Sequence, residues 1–242
     1  MSRTVLLLAG GMTPSPHVRS ALPPAAMCIA ADSGLDHARV LGIVPDVAVG
    51  DFDSVTADGL DWARSVGVEL QGHPASKDQT DLELALEVAM VAGADRLVAA
   101  AVGGGRFDHL LANMAVLADR RYDSMAVDAL LGTARVAVIH GHGHGDHGAD
   151  AGVAERVLDG RPDELVSLLP MHGDATGVTT TGLTYPLHDD HLVAGTSWGV
   201  SNTFVESEAT VSLSGGTLLA VQPDRLAPTA ADGGEAPDSG GR

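Results

Sequence analysis

Four short apolar runs in the first half of the chain, each followed at once by glycine or aspartate, limit the possible folds more than any other feature. Val5–Ala9, Ala26–Ala31, Asp46–Val49 and Leu97–Val102 are rich in Val, Ile, Leu and Ala and show no polar alternation. Continuous runs of this length fit strands buried on both faces, and therefore a parallel sheet between helix layers. Helical patterns lie between them. Leu82, Ala85, Leu86, Ala89 and Met90 fall at i, i+3, i+4, i+7 and i+8, with Thr80 and Glu83 as a capping-box pair and Gly93 at the end. Phe107, Leu110, Leu111, Met114 and Leu117 repeat the stripe in a second helix that stops near Arg120–Arg121. This rhythm predicts an α/β fold, with a Rossmann-like, mostly parallel sheet domain over residues 1–140.

The second half reads differently. Ala134–Ile139 and Leu165–Leu169 look like strands, as do Thr179–Leu183, His191–Ala194, Thr210–Leu213 and Thr217–Val221, with Gly, Asp and Asn turns between them. No helical stripe follows Pro170. A smaller antiparallel, all-β sandwich domain is expected over residues 161–223. A His- and Gly-rich linker or insertion, residues 141–160, separates the two, and residues 224–242 are expected to be a disordered tail.

Charge narrows the function. The chain carries 14 Lys and Arg against 32 Asp and Glu, a net charge of −18. Nucleic-acid backbones and anionic membrane surfaces would repel such a protein, so neither is an expected partner. A single cysteine, Cys28, inside an apolar run, fits a packed core residue in a reducing compartment. The apolar run at Val5–Ala9 is too short for a signal or membrane segment, and the expected location is the cytoplasm.

In open parallel sheets, ligands gather at the carboxyl ends of the strands. Here those ends deliver Asp32-Ser33-Gly34, then Gly50-Asp51-Phe52-Asp53-Ser54, then Gly103-Gly104-Gly105-Arg106-Phe107-Asp108-His109. Asp51 and Asp53 stand two positions apart at a strand end. At a turn both reach one hard cation, although a Gly-Asp-x-Asp turn also forms as a plain solvated loop. Lys77, the only lysine, precedes Asp78-Gln79-Thr80-Asp81 at the start of the first strong helix. Thr80 and Asp81 need no function beyond capping, yet a helix amino terminus also receives anions. Three consecutive glycines before Arg106 let backbone approach a ligand and aim one guanidinium at it; Asp108 either holds Arg106 or caps the helix. Gly143, Gly145 and Gly148 spell a GxGxxG without a following amphipathic helix. His140, His142, His144, Asp146 and His147 have metal-like spacing within a low-complexity run.

Taken in order, these residues resemble the thiamine pyrophosphokinase family. The motifs are Ala31-Asp32-Ser33-Gly34, Pro45-Asp46 with Gly50-Asp51-Phe52-Asp53-Ser54, Lys77-Asp78-Gln79-Thr80-Asp81, and Gly104-Gly105-Arg106-Phe107-Asp108-His109 with Asn113. They continue with Ser167-Leu168-Leu169-Pro170, Thr181 to Leu187, and Gly199-Val200-Ser201-Asn202. The resemblance implies transfer of pyrophosphate from ATP to the hydroxyl of thiamine, giving thiamine diphosphate and AMP. It also implies a homodimer with active sites between subunits. On that pattern Asp32, Asp51, Asp53 and Asp81 hold Mg²⁺, and Asp53 or Asp81 accepts the hydroxyl proton. Lys77, Gln79, Thr80, Arg106 and Asp108 serve the nucleotide, and Ser201 and Asn202 lie near thiamine. Trp198 and Tyr185 are candidates for the thiazolium face. The sequence departs from the pattern in having Ser33 at the family's second glycine, and in the insertion between about His140 and Gly152. Two other readings compete: a pyrophosphokinase for another acceptor such as 6-hydroxymethyl-dihydropterin, and a non-catalytic nucleotide or metal sensor.

Overall fold

The four apolar runs form β1 (Thr4–Leu8), β2 (Met27–Ala31), β3 (Val47–Gly50) and β5 (Arg96–Ala100) of a computed structural model that describes residues 2–104, 106–141 and 153–227. They pair in parallel, with Leu6 opposite Cys28 and Leu7 opposite Ala99. Alternate residues enter opposite cores. Val5 and Leu7 join Ile29, Val47 and Leu97 under α4 (Asp81–Val91), while Leu6 and Leu8 join Cys28, Val18 and Leu41 on the other face. Burial on both faces is why these segments show no polar alternation. Each such aliphatic side chain contributes roughly 1.5–3 kcal/mol.

The parallel part runs β4–β3–β2–β1–β5–β6, with β4 (Glu69–Gly72) at one edge and β6 (Ala126–Leu131) next to β5. The chain moves outward from β1 to β4 and then returns to the far side of β1. The order therefore reverses between β1 and β5. Between these strands lie the short helices α1 (Pro16–Ala21), α2 (Gly34–Leu41) and α3 (Ala57–Val66), none of which has a long apolar stripe. Both α2 and α3 stop at a left-handed glycine, Gly42 and Gly67.

The antiparallel part continues the same sheet. β7 (Ala134–His140) pairs with β6, β13 (Gly215–Gln222) with β7, and β9 (Leu165–Thr181) with β13; β12 (Glu208–Leu213) and β8 (Ala154–Asp159) follow. The two strands expected at Leu165–Leu169 and Thr179–Leu183 are one strand. It bends at His172 (φ 60°), Gly173 (φ 136°) and Gly177 (φ 64°), pairs first with β13 and then with β12. No helix follows Pro170 among the described residues. Strands β7 and β13 are shared between cores: Val136, Val138 and Leu219 face the first, whereas Ala137, Ile139, Leu218 and Ala220 face a second built around Phe204, Leu158, Val211 and Leu192.

Three expectations need correction. The linker predicted through Gly160 contains β8, whose AERVLD sequence hides the strand because Leu158 is its only fully buried residue. The tail predicted from residue 224 begins with packed residues: Leu226 packs beside Val98 and Leu130, and Arg225 pairs with Asp159. The helix α5 (Phe107–Leu117) forms as predicted, but its stripe is buried only towards its end: Leu117 is in the first core and Met114 packs against it, whereas Phe107 is 71% and Leu111 56% exposed. The His-rich run from residue 142, with the GxGxxG of Gly143, Gly145 and Gly148, and the tail beyond 227 lie outside the described residues.

Cys28 is buried, its backbone N–H bonds Asp46 Oδ2 at 2.7 Å, and burial followed by the Asp46 charge pushes its thiol up to about 12. A native sample at pH 8 should therefore fail to react with a thiol-selective chromophore within minutes and react fully after denaturation. Rapid native modification would contradict the packing described.

Candidate functional site

The strand order reverses where β1 and β5 lie side by side, and an open sheet binds ligands at such a point. The tips of these strands are knitted together: Gly11 N–H bonds the Ala101 carbonyl at 2.7 Å and Met12 N–H the Gly103 carbonyl at 2.9 Å. Above them opens a cleft of about 970 Å³. Its walls include Gly10–Met12 from the β1 tip, Asp32 and Ser33 from β2, Asp51, Asp53 and Ser54 from β3, Thr80 and Asp81 from α4, and Gly104, Arg106 and Asp108 before and on α5. The acidic strand ends of the sequence thus meet in one place. The β1 tip was not among the candidate residues, although Gly10-Gly11 directly after an apolar run signals it.

Local backbone geometry makes the acids converge. Phe52 adopts φ 61°, a left-handed turn that a bulky residue takes only when its surroundings impose it. The turn swings Asp51 and Asp53 to one side, and its ring packs with Val55 and Leu60 against the core. Asp53 N–H bonds Asp51 Oδ1 at 3.3 Å, and Ser54 Oγ donates to Asp53 Oδ1 at 2.9 Å. Asp32, also left-handed at φ 46°, is tied to β3 by its N–H bond to the Val49 carbonyl at 2.9 Å. Gly50 (φ 146°) leaves room for both: a Cβ there would lie 3.1 Å from Asp81 Oδ1 and 3.3 Å from the Asp32 backbone.

One carboxylate oxygen from each of Asp32, Asp51 and Asp53 lies within 4.8 Å of the others. Asp32 is 9% exposed, and its Oδ1 is buried with no hydrogen-bond partner. Burial raises its pKa first, with the Asp81 and Asp53 charges adding to that and the Ser33 and Ser54 bonds opposing. An all-oxygen donor set with an orphaned buried oxygen fits a hard divalent cation. Asp81 stands beside the trio and is held by Lys77, whose Nζ lies 2.8 Å from Asp81 Oδ1 and 3.9 Å from Asp51 Oδ2. Burial opposes the Lys77 charge, but Asp81, Asp51 and Asp32 outweigh it and raise its pKa.

The remaining candidates divide. Thr80 makes the complete capping box with Glu83 and still lines the cleft. Gln79 turns away to bond Glu87 on α4. Arg106 forms a two-pronged pair with Asp108, at 2.5 and 3.2 Å, on the exposed rim; the Arg106 bonds hold the Asp108 carboxyl down to about 2. Asn113 anchors α5 by donating to the Val102 carbonyl at 2.7 Å. Ser201, Asn202, Tyr185 and Trp198 line no part of this cleft. The Asn202 side chain is consumed in clamping the Tyr185 backbone, at 3.0 and 2.7 Å, and Ser201 (φ 61°) bonds Ser167 through its N–H. Tyr185 and Trp198 are left with rings 69% and 52% exposed.

Comparison with known proteins places this geometry. Residues 18–127 match the family model described as thiamin pyrophosphokinase, catalytic domain, and residues 157–218 match thiamin pyrophosphokinase, vitamin B1 binding domain. A thiamine pyrophosphokinase of Bacillus subtilis is 27% identical over 227 residues, covering 91% of this chain and 98% of the relative. The crystal structure of thiamine pyrophosphokinase from Bacillus subtilis superposes with a TM-score of 0.76 at 25% identity, covering 91% of this chain and 98% of that one. The one from Geobacillus thermodenitrificans gives 0.72 at 26%, covering 90% and 96%.

Crowded carboxylates carry a cost that a cation relieves. Above its raised folded pKa the ionised Asp32 lowers stability, and the cost fades as pH falls through that value. With chelator at pH 7, Asp32→Asn should melt higher than the parent, by about 2 °C. The same variant should lose the further rise that Mg²⁺ gives the parent. Scanning fluorimetry with Mg²⁺ or chelator checks both, and a lower melting point of the chelated variant would reject the repulsion.

Proposed function

The chain belongs to the thiamin pyrophosphokinase family and acts as a thiamine diphosphokinase, and from that premise we propose that the acidic cleft at the β1–β5 reversal carries its chemistry. The reading is pyrophosphoryl transfer from ATP to the thiamine hydroxyl, with AMP as the other product. The observation that supports it is the convergence of Asp32, Asp51 and Asp53 beside a glycine-rich tip that ends in Arg106.

Pyrophosphoryl transfer needs in-line placement and neutralised charge rather than covalent work by the protein. Asp32, Asp51 and Asp53 would hold Mg²⁺, with Asp81 next to them. When bound, the ion would supply Lewis acidity and neutralise phosphate charge. The chain's own residues do the rest. Gly10, Gly11 and Gly104 present backbone without side chains to the triphosphate. Arg106, oriented by Asp108, offers guanidinium donors from the rim. Lys77 moderates the repulsion among the carboxylates, and Asp53 or Asp81 accepts the hydroxyl proton. Thr80 contributes through the helix amino terminus it caps, whereas Gln79 contributes by bracing α4.

The half around β8 to β13, folded on the second core, serves as the thiamine-binding domain, and the half before it as the nucleotide domain. Tyr185 and Trp198 offer faces for the thiazolium cation, and Asn202 and Ser201 set the loops that carry them. These residues lie off the cleft of their own chain, while Phe107 and Leu111 stand exposed beside Arg106 and Asp108. Both features support a homodimer in which the tip of one copy faces the cleft of the other. A location in the cytoplasm agrees with a substrate such as ATP and with the absence, among the described residues, of any helix long and apolar enough to cross a membrane.

Purified protein given ATP, Mg²⁺ and thiamine should release AMP and thiamine diphosphate together; turnover of a hydroxymethylpterin with none of thiamine would reject the acceptor. Asp51→Asn or Asp53→Asn should cut turnover by at least ~10²-fold with little change in melting temperature, and near-normal rates would reduce the acids to a loop. Trp198→Ala should raise KM for thiamine roughly tenfold. Mixing the inactive Asp51→Asn chain with Trp198→Ala should restore efficient thiamine turnover, since one hybrid site then has both parts intact. Failure to complement would place each site within one chain.

A further inference from the structure

A second cavity, of about 330 Å³, opens on the sheet face that α1 and α2 leave uncovered beside β5 and β6. It shares no lining residue with the acidic cleft. At its base Asp128 of β6, 1% exposed, receives three arginines from three strands: Arg96 at 3.0 Å, Arg135 at 3.1 Å and Arg156 at 2.7 Å. On its wall Asp159 pairs with Arg135 at 2.5 Å and with Arg225. Arg225 also lies 3.9 Å from Glu164, which Arg161 holds at 3.1 Å.

A purely structural network would balance its charges, because an unmatched buried charge is costly. This one does not balance. Three guanidinium groups line the cavity, Arg96, Arg135 and Arg225, against two carboxylates, Asp128 and Asp159, an excess of one positive charge within a chain whose net charge is −18. The donors are not exhausted either. Arg96 bonds through Nε and Nη2 and Arg225 through Nε and Nη2, which leaves each Nη1 without a protein acceptor among the described residues. Both side chains are partly open, at 38% and 27%. Apolar walls from Val98, Leu130 and Leu226 shield the pocket and strengthen its field.

We propose that this cavity is a second ligand site, specific for a small oxyanion such as phosphate, read by Arg96 and Arg225 and separate from the catalytic cleft. A compact tetrahedral oxyanion answers this positive excess and accepts from both guanidinium forks. The overall acidity of the chain keeps polyanions away, so the site selects for a compact ion that fits inside.

Inorganic phosphate is the probe, added with chelator present so that no metal carries it to the acidic cleft. At matched ionic strength, phosphate should raise the melting temperature where chloride does not. Calorimetry should show Arg225→Gln and Arg96→Gln weakening binding about tenfold or more, the loss expected of one charge-assisted contact. Leu226→Trp, which fills the pocket and keeps every arginine, should abolish binding, while Asp51→Asn should keep it. AMP bound with the same dependence on Arg225 would identify a phosphate ester as the source; phosphate without AMP would identify the free ion. No phosphate-specific response in the parent, a response that survives Leu226→Trp, or one lost in Asp51→Asn would overturn the proposal.

Discussion

Carboxylates do not share a corner of a protein unless the backbone holds them there, and in this chain the backbone does so at a visible cost. Asp32 and Phe52 both occupy left-handed conformations, each unfavourable by of order 1–3 kcal/mol for a residue with a side chain. What imposes them is the parallel sheet. β2 and β3 are locked in register by Ala31 opposite Val49, so their tips end level and the next residues must turn within one layer. The Phe52 ring sinks into the core and anchors its turn. The sheet's hydrophobic burial thus sustains a small electrostatic strain at its edge, which Lys77 partly relieves.

The same sheet explains how the two halves are joined. β7 and β13 send alternate side chains to different cores, so neither half closes its core without them. A substitution at Ile139 acts on the second core and one at Val138 on the first, although the residues are neighbours. Strand β9 crosses between partners by bending at His172, Gly173 and Gly177; its first part pairs with Asn202 and its end leads into the loop that carries Tyr185.

Much of the molecule was legible in the sequence where a single physical signal dominated. Buried parallel strands show as unbroken apolar runs, α4 shows as a stripe with a capping box, and α5 as a stripe. The acidic strand ends were legible because charge beside an apolar run has few structural uses. The short helices α1 and α3 and the strand β8 were not, since each buries too few residues for a period to emerge, and α2 spans barely two turns with Gly34 and His37 among its buried positions. Asn202 illustrates the limit at the site. Its type and position pointed to ligand contact, but its side chain spends its bonds on the Tyr185 backbone, a partner no spacing rule reveals. The burial of α5 was misjudged for a related reason. An apolar stripe states that a face must be covered, not that its own chain covers it.

The arginine network around Asp128 was invisible for a stronger reason. Arg96, Arg135, Arg156 and Arg225 are scattered over most of the chain and meet around Asp128 and Asp159 only because β5, β7, β8 and the segment after β13 bring them together. A net charge of −18 hides such a feature by averaging over it. Yet that acidic background gives a local positive excess its meaning. In a basic protein, spare guanidinium groups are common and solvated. In this one, where acidic residues outnumber basic ones by more than two to one, three arginines beside an apolar wall are a local concentration of positive charge that the two carboxylates there do not use up. The acidic cleft and the cationic cavity are thus two consequences of one sheet: each side chain set converges because strand register leaves it no other place.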